Sequence, residues 1–124
     1  MIVLDTDVVI DYLRGTRQAA RFLEERTEPL AVSVVTIAEL YSGVRGDDEE
    51  AAVETLLSAF HVFEIDRRVA QQAGKFRQQY LRSHGVEIPD ALIAATCVVH
   101  HTELATLNRR HYPMISHLLV PYRK

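Results

Sequence analysis

Short strand-like segments alternate along the chain with longer amphipathic stretches, a pattern typical of an α/β protein. The opening segment, residues 1–4, is continuously apolar, as expected for a strand buried on both faces of a parallel sheet. The pattern predicts four further strands, at residues 30–35, 61–65, 103–106 and 117–120.

Apolar residues spaced three and four apart predict helices between these strands. Four of the predicted helices cover residues 7–13, 19–25, about 66–84 and 90–100. Two more lie between the second and third strands: one is capped by Ser33 or Thr36 and ends by Gly46, and the next has the acids 47–50 in its first turn. A short helical turn is predicted at 109–112. The 90–100 helix is apolar almost all round and should be central. We therefore expect one domain, residues 1–124, folded as a three-layer α/β/α sandwich around a mostly parallel sheet of about five strands.

Composition narrows the function classes only slightly. Hydrophobic residues make up 48% of the chain and charged residues 25%, as in an ordinary globular domain. The net charge of −3 argues against coating nucleic acid through overall charge, although a local basic patch remains compatible with it. Cys97 is the only cysteine, so no intrachain disulfide can form and a reducing cytoplasm is the expected compartment. The sequence predicts neither a membrane span nor a signal peptide.

Four oxygen-bearing side chains should meet at one edge of the predicted sheet. Asp5 follows the first strand, Glu39 lies in the helix after the second, Asp90 begins the central helix, and Asn108 follows the fourth strand. The carboxyl ends of parallel strands are where open α/β sheets bind ligands. Gathered carboxylates repel one another unless a cation lies between them, and hard oxygen ligands suit Mg²⁺ or Mn²⁺. Such a site can activate water against a phosphodiester.

Most of these acids also have a structural interpretation. Residues 36–39 match a capping box, in which the glutamate bonds back to the start of its own helix. Asp90 could simply complement a helix dipole, and Asn108 could be a turn residue. Asp7 is expected to be an N-cap and Asp11 a solvated helix residue. Asp5 is the hardest to explain structurally, although capping by Asp5 or Thr6 stays open.

Four motifs together resemble the PIN-domain nucleases, and within them the VapC toxins of type II toxin–antitoxin modules. They are Ile-Val-Leu-Asp-Thr-Asp at 2–7, Ser-Val-Val-Thr-Ile-Ala-Glu-Leu at 33–40, Ile-Pro-Asp-Ala-Leu-Ile-Ala-Ala-Thr at 88–96 and Thr-Leu-Asn at 106–108. The resemblance covers essentially the whole chain. The Pro-Asp-Ala-Leu-Ile-Ala-Ala-Thr segment is its most specific part.

The resemblance implies a metal-dependent endoribonuclease. Asp5, Glu39 and Asp90 would bind Mg²⁺ or Mn²⁺, which activates the attacking water, and Thr6 would be a polar neighbour at the site. Asn108 stands where the family usually has a fourth acid, which leaves one or two metal ions possible. The resemblance also implies a homodimer and a small VapB-like antitoxin whose tail covers the site. Contact with DNA would then occur only through the antitoxin complex.

Arg109 and Arg110 directly follow Asn108 and are candidates for binding RNA phosphates. The basic residues within 67–82 are instead expected to form a solvated helix face. Asn108 mildly favours an alternative function, a catalytically silent PIN-like module that acts through its antitoxin partner. A more distant alternative is a haloacid-dehalogenase-type phosphatase, suggested by the Asp-Thr-Asp at 5–7. That chemistry needs a lysine at the strand ends, and neither lysine of the chain is well placed for it.

Overall fold

A parallel sheet forms the centre of the computed structural model, which describes residues 1–124. Its five strands are β1 (Ile2–Leu4), β2 (Leu30–Ser33), β3 (His61–Phe63), β4 (Glu103–Ala105) and β5 (Leu118–Leu119). They are hydrogen-bonded in the order β3-β2-β1-β4-β5, and every neighbouring pair is parallel. Since β1 is the central strand, its end is enclosed on both sides.

Six helices connect or follow the strands. They are α1 (Thr6–Leu13), α2 (Arg17–Glu25), α3 (Val34–Ser42), α4 (Gly46–Leu57), α5 (Arg67–His84) and α6 (Ile88–His100). A single turn of 3₁₀ helix, Arg109–His111, lies between β4 and β5. None of the helices combines the length and the apolar character needed to cross a membrane.

The two faces of the sheet carry separate hydrophobic cores, because successive side chains of a strand point in opposite directions. Ile2 and Leu4 of β1 pack with α1, α2, α3 and α4 on one face. Val3, between them, packs with α5 and α6 on the other. All three are fully buried, which stabilises the fold by about 1.5–3 kcal/mol for each side chain. The expected three-layer α/β/α sandwich is confirmed.

The structure shifts several predicted boundaries. The apolar segment 30–35 divides after Ser33, because the Ser33 hydroxyl accepts a hydrogen bond from the Val35 N–H (3.1 Å) and so caps α3. The helical spacing of Ile37, Leu40, Tyr41 and Val44 in this segment predicts that Tyr41 faces inward. It is 37% exposed, so that expectation is wrong. The long helix matches its prediction, and Gly85, with φ at +66°, ends it in the left-handed conformation.

The strand order determines where a ligand can bind. The chain runs outward from β1 to β2 and β3, and then returns to place β4 on the opposite side of β1. The gap beyond the carboxyl ends of β1 and β4 is therefore a topological switch point, the usual ligand-binding position in open α/β sheets. Leu4 of β1 pairs with Ala105 of β4, so the residues that follow them emerge side by side.

Candidate active site

Asp5 lies where β1 ends and α1 begins. Its backbone N–H donates to the Ala105 carbonyl of β4 at 2.9 Å. Its Oδ1 accepts from the Thr6 N–H at 2.8 Å, and its Oδ2 accepts from the Thr106 hydroxyl at 2.7 Å. Only 6% of Asp5 is exposed. Asp5 is thus the N-cap of α1, and its second oxygen is held at the switch point by the end of β4.

The surroundings of Asp5 oppose its ionisation. Burial is the largest influence, and together with the nearby charge of Asp7 it raises the pKa of Asp5 from 3.8 to about 7. The hydrogen bonds from Thr106 and Thr6 lower the pKa, and the charge of Asp90 raises it further. No lysine or arginine forms an ion pair with Asp5. The ionised Asp5 is therefore a buried charge without a cationic partner.

Glu39 is held toward the same point by threonine hydroxyls. The Thr6 hydroxyl donates to Glu39 Oε1 at 2.6 Å and lies 2.9 Å from the Thr36 hydroxyl. Because Thr6 has one hydroxyl proton, the bond to Glu39 leaves Thr6 to accept from Thr36. The capping-box interpretation of residues 36–39 is wrong, since α3 begins at Val34 and is capped by Ser33. Glu39 thus bonds to the start of α1 and keeps an exposed carboxylate.

Asp90 approaches from the first turn of α6, where Pro89 favours helix initiation. Its Oδ2 lies 2.8 Å from His111 Nδ1, and its Oδ1 accepts from the Tyr112 hydroxyl at 3.3 Å. The Asn108 side-chain nitrogen lies 2.9 Å from the same His111 Nδ1. Asn108 therefore does not contact Asp90 directly, and the two side chains lie against the same histidine nitrogen.

Tyr112 lies close to Asp5 and Asp90. It is only 1% exposed. Burial, followed by the charges of Asp5 and Asp90, raises the pKa of Tyr112 far above its ordinary value. The phenol therefore stays protonated and donates to Asp90. Nothing in the sequence distinguishes Tyr112 from the four other tyrosines, so sequence reasoning missed it together with His111 and Thr106. The position of Thr106 at the very end of a buried strand is the one signal that could have identified any of the three.

Two other acids of α1 differ from their predicted roles. Asp7 is not an N-cap, because α1 begins one residue earlier and Asp5 occupies that position. Instead Asp7 accepts from the Val8 N–H at 2.7 Å and, across the switch point, from the Leu107 N–H at 3.1 Å. Asp11 is not solvated either. It is 4% exposed, since the end of the chain folds back over it.

The donor set fits a hard divalent cation. Asp5, Glu39 and Asp90 offer only oxygen ligands, beside hydroxyl groups, and no arginine or lysine neutralises them. The side chains do not by themselves form a ready-made cluster, as no group of three His, Cys, Asp or Glu residues is close enough together to hold an ion. Assembly of a cation site would thus need the carboxylates to move inward, which the mutual repulsion at Asp5 now opposes.

The predicted phosphate-binding arginines lie at the rim. Arg109 and Arg110 form the exposed 3₁₀ turn that follows Asn108. The basic residues of α5 are far from Asn108 in the sequence and mostly exposed, and Arg77 forms an ion pair with Glu87 at 3.1 Å. Of the basic residues considered, only Arg109 and Arg110 follow a residue of the candidate site directly.

The chain is similar to known proteins over nearly its whole length. The family model described as "PIN domain" matches residues 2–114. Two proteins of Mycobacterium tuberculosis are similar in sequence: "Ribonuclease VapC10" is 42% identical over 98% of this chain and 93% of its own, and "Ribonuclease VapC19" is 38% identical over 98% and 100%. Among solved structures, a "Toxin-antitoxin complex from Klebsiella pneumoniae" superposes with a TM-score of 0.87 at 29% identity and covers both chains completely.

Proposed function

This chain belongs to the PIN-domain family, and from that premise we propose that it is a metal-dependent endoribonuclease acting as the toxin of a toxin–antitoxin pair. The observation that carries the proposal is that Thr6 links Glu39 to the end of β1 beside Asp5, while no lysine or arginine pairs with Asp5, Glu39 or Asp90. The ribonuclease names of relatives that are 42% and 38% identical support the reaction class.

In this proposal Asp5, Glu39 and Asp90 would hold Mg²⁺ or Mn²⁺. When bound, such an ion would supply activation of water and stabilisation of negative charge on the phosphate. The chain's own residues orient the ligands: Thr106 and the Thr6 N–H fix Asp5, and the Thr6 hydroxyl fixes Glu39. His111 and Tyr112 direct Asp90, and Asn108 adds no charge at the rim. No protein nucleophile is required.

Substitution of Asp90 tests this assignment. We expect Asp90→Asn to abolish cleavage of single-stranded RNA in Mn²⁺ while the thermal unfolding temperature changes little, because asparagine keeps the size of the side chain. Asp66→Asn is the matched control. It also replaces an aspartate at the beginning of a helix, and asparagine can still cap α5 in its place. Cleavage by Asp90→Asn at the wild-type rate, or wild-type cleavage that survives a chelator, would contradict the proposal.

The same assay separates this function from the silent binding module. The residue that favours the binding module is Asn108, because its uncharged amide stands where the resemblance to the PIN-domain family implies an acid. A module would bind its partner but leave RNA intact at every Mn²⁺ concentration. Metal-dependent cleavage that Asp90→Asn removes would exclude it.

We propose that a small VapB-like antitoxin is the protein partner, that the toxin pairs as a homodimer, and that DNA is contacted only through the complex. A groove of about 450 Å³ between α1, α3 and α4 supports an antitoxin tail lying there, because Glu39 is part of its wall beside apolar residues. Those apolar residues are Ile10, Leu13, Leu40, Val44, Ala52 and Val53. The cytoplasm is the proposed compartment. Co-expression with a short neighbouring reading frame tests the partner: Leu13→Asp should abolish co-purification, and unchanged co-purification would contradict this groove as the docking site.

A further inference from the structure

A second cavity, of about 600 Å³, lies between the chain that follows β4 and the last five residues. Half of its lining residues are basic and none is acidic. The lining consists of Leu107, Arg109, Val120, Tyr122, Arg123 and Lys124. The candidate active site, by contrast, contains several carboxylates, so the two neighbouring surfaces differ sharply in charge.

The end of the chain is fastened in place by Asp11. The Tyr122 hydroxyl donates to Asp11 Oδ2 and the Lys124 ammonium to Oδ1, each at 2.8 Å. Burial tends to raise the pKa of Asp11, but these two donors outweigh it and the pKa is lowered. Asp11 is therefore an ionised, fully partnered carboxylate, and it is not used by the proposed cleavage mechanism. Its effect is to fix Tyr122 against α1 and to hold the residue that follows, Arg123, beside the cavity.

These bonds occupy the charge of Lys124 but leave the two arginines free. Neither Arg109 nor Arg123 forms an ion pair, and both are exposed. Guanidinium groups bind phosphate oxygens through paired hydrogen bonds, which makes arginine well suited to this ligand. The cavity thus presents two unpaired guanidinium groups on a fixed framework.

The cavity adjoins the candidate active site through Leu107. This residue forms part of the cavity wall, and its N–H donates to Asp7 at the start of α1. Asp5 caps the same helix, and Thr106, which precedes Leu107, donates to Asp5. The cavity is therefore lined by the chain segment that also borders the candidate active site.

We propose that the cavity is a phosphate subsite for the RNA strand, in which Arg109 and Arg123 bind a backbone phosphate next to the bond that is cut. This inference rests on the proposed ribonuclease function and extends it to the path of the substrate. Contacts of this kind position a strand without reading its bases. The subsite also offsets the repulsion between a polyanion and the carboxylates of the site.

Binding of a fluorescent single-stranded RNA oligonucleotide, measured by anisotropy in EDTA over a series of salt concentrations, tests the subsite. Loss of one phosphate contact should reduce the slope of log K against log salt by about 0.7. We expect this change, with weaker binding, for Arg123→Ser, and a smaller loss for Arg123→Lys, which keeps the charge. Arg82→Ser is the matched control, because Arg82 is an exposed, unpaired arginine on α5, and it should retain the wild-type slope. A wild-type slope for Arg123→Ser would overturn the subsite.

Cleavage by the unsubstituted protein in Mn²⁺ separates this result from the fate of the proposed function. If the protein cuts RNA and Arg123→Ser binds as tightly as wild type, the subsite alone is wrong. If binding depends on Arg123 but no cleavage occurs in any divalent cation, the nuclease assignment fails and the subsite stands as a binding site. Tyr122→Phe, which removes a bond to Asp11, should lower the affinity in the same direction as Arg123→Ser, because it loosens the segment that carries the arginine.

Discussion

Replacing Asp5 with asparagine should stabilise the metal-free protein at alkaline pH and change its stability little near pH 4. The pKa of Asp5 is raised from 3.8 to about 7, mainly by burial and then by the charge of Asp7. The folded state therefore binds a proton that the unfolded state has already released. The contribution of Asp5 to the free energy of unfolding therefore falls as the pH rises from about 4 to about 7, and it is constant on either side of that interval.

The size of the effect follows from the pKa. One pKa unit corresponds to about 1.4 kcal/mol, so a shift from 3.8 to about 7 gives at most about 4 kcal/mol of destabilisation above neutral pH. Asparagine carries no charge, and its side-chain oxygen can still accept from the Thr6 N–H, so the helix cap is retained. The variant should recover a large part of this free energy at pH 8.

Urea unfolding in EDTA at several pH values between 4 and 8.5 measures the difference between Asp5→Asn and wild type. The control, Asp66→Asn, should differ from wild type by nearly the same amount at every pH in this range. The backbone hydrogen bond from Val69 lowers the pKa of Asp66 from 3.8, so its stabilising effect is present across the range and is lost only as the pH falls below the unfolded-state pKa. A stability difference for Asp5→Asn that is the same at pH 5 and pH 8 would refute the reasoning.

Three further predictions concern other parts of the structure. Mn²⁺ should raise the thermal unfolding temperature of wild type but not of Asp90→Asn, as followed by circular dichroism, and an equal rise in both would exclude Asp90 as a ligand. Tyr112→Phe removes the donor to Asp90 and should weaken Mn²⁺ binding by about ten- to a hundredfold in calorimetry, while unchanged affinity would limit the phenol to packing. Asp11→Ala leaves the Tyr122 hydroxyl and the Lys124 ammonium without their acceptor and should cost about 2 kcal/mol in urea unfolding; a loss below a few tenths would contradict this.

The sequence predicts the layers better than the element boundaries. Strand and helix periodicities give the three-layer order correctly, because each element must bury one face and the alternation along β1 serves two cores. The end of β2 was missed because the apolar run continues into α3 through Val34 and Val35. Apolar character alone does not distinguish a buried strand from the first turn of a buried helix, and the boundary depends on which hydroxyl caps the helix.

The buried aspartates of this region also differ in how far the sequence predicts them. Asp5 could be identified because a carboxylate directly after a buried strand is costly wherever the chain goes next. Asp11 could not be identified, since its partners lie 111 and 113 residues further along the chain and nothing near it in the sequence requires burial. Local patterns predict residues whose surroundings are local. They fail for a side chain whose surroundings are created when a distant segment returns.

The contrast between Asp5 and Asp11 itself argues for function at the switch point. Both are buried aspartates associated with α1, and burial acts to raise the pKa of each, although the net pKa is raised only for Asp5. At Asp11 the fold supplies an ammonium group and a phenol, so the carboxylate is ionised and stabilising. At Asp5 it supplies only hydroxyl and amide donors and adds two more carboxylates nearby, so the pKa stays high. The fold thus gives Asp11 a cationic partner and leaves Asp5 without one, so the uncompensated charge lies where a cation can bind. Groups with perturbed pKa values concentrate at functional sites.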